Sequence, residues 1–195
     1  RRTRYRAPGV EVVQTVTLES GSAVVRLRTQ VEWRQQHHML RAEFRPTHFG
    51  DTVRSEIQFG HIDRPTTEST DAERAQFEVC AHKWIAVGDD RAGFALLNDA
   101  DRGAHEFTYA FLPLDAGDVS AAVREGYRLN NPLRIVSAAP FDSVVRSRER
   151  GVVIETLKPA EDGDGVIAAP SSSSTRCVSN AVNPAPPNSS GIASD

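Results

Sequence analysis

Between Val10 and Trp33 the chain alternates: "VEVVQTVTL" and "VVRLRTQVEW" carry apolar, often β-branched side chains at every second position, separated by the polar "ESGSA". A period of two sends successive side chains to opposite faces of an extended backbone. The two runs are therefore expected to pair as antiparallel strands across a short turn. "HHMLRAEFRP" reads as a further short strand that Pro46 ends, because proline has no N–H for a ladder. "VRSEIQFGHI" reads as one strand with Val53, Ser55, Ile57 and Phe59 on the buried face and Arg54, Glu56 and Gln58 on the other. "FEVCAHKWIAV", "FALLN", "HEFTYAFLPL", "LRIVSA", "FDSVVRS" and "GVVIETLKPA" continue the strand rhythm, while "DRPTTESTDAERAQ" reads as a polar connection. One stretch departs from it: in "DVSAAVREGYRLNNPL", Val119, Val123, Tyr127 and Leu129 line one face of a short helix ended by Asn130, Asn131 and Pro132. The sum is an all-β, antiparallel β-sandwich with one short helix.

A chain of 195 residues suffices for one domain with a sizeable core. The net charge of -3, with arginines dispersed among aspartates and glutamates, leaves no basic stripe for nucleic acid. No apolar run approaches the roughly 18 to 20 residues that span a bilayer. From Ala168 onward the sequence turns to Ser, Pro, Asn and Ala with scarcely any large apolar residue. Such a segment cannot offset its ordering entropy, so a folded domain is expected over 1–167 and a disordered tail over 168–195. Cys80 and Cys177 lack any spacing that would bind zinc and read as unpaired thiols of a reducing compartment, which points to the cytoplasm. The chain opens without methionine and enters strand-like sequence at once, as a segment of a longer polypeptide would.

Few residues advertise chemistry. His37 and His38 are neighbours, and on a strand they would face opposite ways. His61, Asp63 and Arg64 follow Gly60 just past a strand, where they could receive a sugar hydroxyl or a carboxylate or form a solvated turn. Trp84, in "FEVCAHKW", reads as a core ring before it reads as a sugar platform. No carboxylate pair is marked out for glycoside chemistry, and no G-x-S-x-G, P-loop or H-E-x-x-H is present. "EDGDG", Glu161 to Gly165, lacks the ligand ladder of a calcium loop. On composition, the polar knot from Asn98 to Gly103 is a turn between two strands.

Seven strings in order, "VEWRQQHHMLRAEF", "SEIQFGHIDRPTTEST", "AQFEVCAHKWIAV", "GFALLND", "HEFTYAFLPL", "REGYRLNNPLRIV" and "LKPAEDGDG", resemble the C-terminal β-domain of the glycoside hydrolase family 38 α-mannosidases of the cytosolic and bacterial type. The resemblance implies a supersandwich of the galactose-mutarotase-like kind, taken from a retaining exo-α-mannosidase. In that family a zinc ion holds the terminal sugar, an aspartate forms the glycosyl-enzyme and a second carboxylic acid protonates the leaving oxygen. Zinc ligands and nucleophile belong to an N-terminal barrel and helical bundle whose motifs are absent from this sequence. The implied cofactor of this chain is therefore none, and its implied partners are the catalytic domain and a mannose-containing glycan. By the same resemblance, "GHIDRPT" with His61, Asp63 and Arg64, and "LLND" with Asn98 and Asp99, would wall the sugar cleft. Family members place about two dozen more residues, a loop and a strand, between "LLND" and "ADRG-HEFTYA"; here Asp99 runs almost directly into that string. Two other readings compete: a free-standing carbohydrate-binding module using Trp84 and the His61–Arg64 segment, and a sugar epimerase using His82 and Glu78.

Overall fold

The alternating runs pair as their period requires. β2 (Val10–Leu18) and β3 (Val25–Trp33) zip antiparallel from Val10↔Trp33 to Leu18↔Val25. They belong to an eight-stranded sheet with β1 (Arg2–Ala7), β4 (Thr52–Ile57), β5 (Gly60–Pro65), β6 (Trp84–Gly88), β7 (Ala92–Asn98) and β8 (Glu106–Asp115), in the order β1-β2-β3-β8-β7-β6-β4-β5. A smaller sheet joins β9 (Val152–Pro159), β10 (Val166–Ser172) and β11 (Asn180–Val182) in the order β11-β10-β9. Every paired strand in both sheets is antiparallel. Among the described residues there are also two helices, α1 (Asp71–Arg74) and α2 (Ser120–Asn130). This computed structural model describes residues 1–46, 50–99, 106–116, 118–135, 137, 145–149, 151–172 and 180–182.

The all-β, antiparallel reading holds, and so does the helix, which follows Val119 and ends at Asn130. Several elements differ. "VRSEIQFGHI" is a hairpin rather than one strand: the chain turns at Gln58 and Phe59, where Phe59 takes a φ of 61°, and Glu56 pairs with His61. "FEVCAHKWIAV" becomes strand only from Trp84, because its partner β4 ends at Ile57; Phe77 is left 95 % exposed, and Cys80 is a free, exposed thiol outside any strand. "HHMLRAEF" forms no strand, and Phe44 instead lays its ring 6.5 Å from that of Phe111 and edge-on to Tyr109 at 5.9 Å. β1 was not anticipated; it folds back on β2 through Pro8 and Gly9, whose φ of +70° suits glycine. Inside "DRPTTESTDAERAQ" the Thr70 hydroxyl accepts from the Glu73 N–H at 3.2 Å while the Glu73 carboxylate accepts from the Thr70 N–H at 2.7 Å, a capping box that sets one turn of helix.

β10 crosses the expected boundary at 167/168 and pairs with β9 as far as Ser172, and β11 takes up Asn180–Val182. The rest of the expected tail, 173–179 and 183–195, lies outside the described residues, as do Cys177 and residues 100–105 of the polar knot. In "LRIVSA", Leu133 and Ile135 are fully exposed and not in strand; "FDSVV" lies almost wholly outside the described residues.

The core forms where α2 lies across β6, β7 and β8. Val119, Ala122 and Val123 meet Trp84, Ala86, Ala95, Leu97, Ala110 and Leu112, with Ala95, Ala110 and Ala122 wholly inaccessible to solvent. Small side chains at those positions let the helix approach the sheet closely. At Gly126 a Cβ would lie 3.1 Å from the Trp84 ring, so the glycine makes room for the indole. β9 reaches the same cluster through Val153.

Candidate functional site

Strand period and register together decide which candidate side chains can meet. Glu56 faces His61, Arg54 faces Asp63, and Arg54 also pairs with Ala86, so Arg54, Glu56, His61 and Asp63 share the face of the sheet that α2 covers. Arg64 pairs with Val53 and projects to the opposite face. His61, Asp63 and Arg64 are thus inside the edge strand β5 rather than in a turn past a strand, and only the first two come together. The His61 side chain is 7 % exposed; its Nε2 lies 3.9 Å from Asp63 Oδ1, and its ring centroid is 6.0 Å from that of Trp84. Its Nδ1 is buried without a hydrogen-bond partner. Burial is the chief cause holding its pKa below 6.5, with Asp63 raising it and Arg54 lowering it, so the ring is neutral at pH 7. Asp63 remains half-exposed and pairs with Arg54 Nε at 3.3 Å.

Glu56 was expected to face solvent and instead is buried, 4 % exposed at the side chain, while Ile57 on the expected core face is 37 % exposed. Ser55, on the expected core face, is fully buried as expected, so β4 is enclosed on both faces and only Ile57, at the hairpin end, opens to solvent. The Glu56 carboxylate accepts from the Lys83 N–H at 2.5 Å and from Lys83 Nζ at 3.0 Å. The same ammonium sits 4.5 Å from the centre of the Tyr127 ring, and the Tyr127 hydroxyl donates to Glu155 of β9. A chain of contacts therefore runs from β4 through β6 and α2 into the smaller sheet. Neither Glu56 nor Tyr127 could be singled out as a linker before the register was known.

Asn98 ends β7 beside Lys83, whose carbonyl accepts its N–H at 2.9 Å, and opposite Tyr109. That pairing puts Asn98 on the Arg64 face, away from His61 and Asp63. Its carbonyl accepts from Asn130 Nδ2 at 2.8 Å, which ties the end of α2 to the end of β7. Asp99 Oδ1 accepts from the Thr108 N–H at 2.7 Å, so that carboxylate caps the start of β8. The five candidate residues share one half of the sheet but split between its two faces, with Asp63 and Asn98 exposed and His61 enclosed. Glu78, of the epimerase reading, gives its carboxylate to Arg41 at 2.7 Å. Toward the opposite ends of the same strands, a concavity of about 390 Å³ is lined in part by Arg54, Asp51, Asp89, Asp115 and Asp118, residues that carry no sequence signal. Among the described residues no three of His, Cys, Asp and Glu are placed to hold a metal ion, and no helix is long and apolar enough to cross a membrane.

The described residues form an antiparallel β-domain whose larger sheet is backed by one helix. Residues 2–111 match the family model described as the glycosyl hydrolases family 38 C-terminal domain, and the chain belongs to that family. It is 36 % identical over 191 residues to human alpha-mannosidase 2C1, a match covering 80 % of this chain and 18 % of the human one. Against alpha-mannosidase G of Dictyostelium discoideum the identity is 32 %, with the same two coverages. The chain thus spans less than a fifth of the length of these relatives. Its fold also matches the crystal structure of an alpha-mannosidase from Enterococcus faecalis V583, with a TM-score of 0.64 at 14 % identity, over 83 % of this chain and 23 % of that one.

Proposed function

We propose that this chain is the β-sandwich portion of a retaining exo-α-mannosidase that removes terminal α-D-mannose, and that it is inactive alone. It shapes the sugar cleft and braces a catalytic portion held elsewhere in the polypeptide. The observation that carries this reading is membership of the family 38 C-terminal domain in a chain that covers only 18 % of its human relative. Zinc, nucleophile and general acid are assigned to that other portion, in keeping with the scattered carboxylates and histidines described above. Of the five candidate residues, Asp63, exposed although paired with Arg54, and Asn98, exposed on the opposite face of the sheet, are the side chains a sugar hydroxyl would reach, while Asp99 holds the start of β8. The exposed thiol of Cys80 suits a cytoplasmic enzyme.

Calorimetric titration of the chain with methyl α-mannoside separates this reading from a free-standing carbohydrate-binding module. No heat of binding is expected from the chain alone, because half of the proposed cleft is missing. Binding with a Kd of about 1 mM or tighter, some 4 kcal/mol of affinity, would instead favour the module.

A further inference from the structure

β5 is the outermost strand of the larger sheet and pairs with β4 alone. On the face that α2 covers it carries His61, Asp63 and Pro65; the last two are exposed, and only His61 is enclosed, with its ring against that of Trp84. Apart from the backbone ladder, this one imidazole ties that face of β5 to the core. Among the described residues, each carboxylate facing the ring already has a cation. Glu56, directly opposite on β4, is held by the N–H and the ammonium of Lys83, from the segment ahead of β6. Asp63, on β5 itself, is half-exposed and shared with Arg54 of β4. In the same segment as Lys83, His82 gives its backbone N–H to the Glu56 carbonyl at 3.2 Å. β6 contributes uncharged side chains throughout, and Trp84 offers an N–H but no acceptor. From α2, Tyr127 turns its ring to the Lys83 ammonium and donates its hydroxyl to Glu155 of β9, while Arg124 donates to Ser120 and Glu125 accepts from Arg128.

An imidazolium carries an N–H on both nitrogens, whereas the neutral ring carries one. Nδ1 of His61 is buried with no acceptor, and Nε2 lies 3.9 Å from Asp63 Oδ1, beyond hydrogen-bond reach. The neutral ring fits this site and the charged ring does not. We propose that His61 is a proton-released latch, which holds β5 on the sheet edge while neutral and frees the strand when the ring takes up a proton. Burial is the chief cause that keeps the folded ring's pKa below 6.5; Asp63 raises it and Arg54 lowers it. Once the strand has opened, the ring titrates at its ordinary value, so opening takes up a proton. The closed form keeps its full advantage above that value and loses it as the pH falls below. Between about pH 7.5 and 5.5 the opening equilibrium therefore rises by up to about tenfold, the limit for one site that stays neutral when closed. Opening would also carry Asp63 off the sheet. That consequence for a sugar contact rests on the proposed function, whereas the latch does not.

Hydrogen exchange of this chain, read by mass spectrometry, tests the latch. Exchange in β5 is divided by exchange in β2 and β3 of the same molecules, so the chemical pH dependence of exchange cancels. The ratio is expected to rise by up to about tenfold between about pH 7.5 and 5.5. In His61→Gln, which cannot take a proton, it should stay flat, while His82→Gln should keep the parent's rise. His61→Phe supplies a second non-titrating ring that still packs on Trp84, and its ratio should be flat as well, even if glutamine loosens the hairpin at every pH. A parent ratio that does not move with pH overturns the proposal. So does a rise that survives in both His61 variants, or one that disappears in His82→Gln. Mannosidase turnover does not enter this measurement, so the latch and the proposed function stand or fall separately.

Discussion

Replacing Trp84 by alanine is expected to lower the unfolding free energy by about 3–5 kcal/mol, the cost of emptying a large aromatic site in a packed core. Trp84 is 2 % exposed and stands where β6, α2 and the edge hairpin meet, against Gly126 on one side and His61 on another. Domains hold about 5–15 kcal/mol in total, so this one change removes a large share of the stability. Urea unfolding followed by far-ultraviolet circular dichroism measures it. Trp33 supplies the comparison: it is only half-buried, its indole N–H donates to the Gln35 carbonyl at 2.9 Å, and its replacement should cost clearly less. Equal losses at the two tryptophans would mean that the core is not centred on α2.

The second large effect is at Glu56. Glu56→Ala strips a buried carboxylate from the Lys83 N–H and from the Lys83 ammonium, leaving a part-buried cation and a donor to find new partners. Breaking one side of a buried pair costs about 3–5 kcal/mol; the Lys83 side chain is 26 % exposed and can rehydrate, so the lower end is expected. Glu56→Gln should recover part of the loss, because an amide oxygen still accepts from the Lys83 N–H. Lys83→Met in the Glu56→Ala background should cost less than it does alone, as a double-mutant cycle on a coupled pair requires. A Glu56→Ala protein as stable as the parent would contradict the burial of that carboxylate. Because the network continues through Tyr127 to Glu155, its loss should also raise hydrogen exchange in β9.

These two residues show where sequence stops being legible. Period-two patterning is local, so β2, β3, β7, β8 and β9 could be read directly, and the helical face of Val119 and Val123 likewise. β1 could not, because its alternation sets Arg2, Arg4 and Arg6 against Thr3 and Tyr5, and a charged edge strand looks like a loop. The β4–β5 hairpin was hidden because Gln58 and Phe59 make its turn, with an aromatic residue at positive φ where glycine or asparagine is usual. Whether the second face of β4 is enclosed as well depends on tertiary packing, which buries Glu56 along with the expected Ser55 and leaves Ile57 exposed. The candidate site suffered in the same way. His61, Asp63 and Arg64 are close in sequence, yet a strand sends Arg64 to the other face, and Asn98 follows it there. A resemblance read along the chain could name these residues, but only the register shows that one sugar cannot meet them all from a single side.

The central claim is that this β-domain belongs to a mannosidase without carrying its chemistry. Turnover of p-nitrophenyl α-mannoside, with zinc present, tests it most directly. The chain alone should release no p-nitrophenol above background, and the full-length human relative carrying this chain in place of its matched stretch should turn the substrate over. Zinc-dependent turnover by the isolated chain would contradict the account, because it would place a complete catalytic set within these 195 residues.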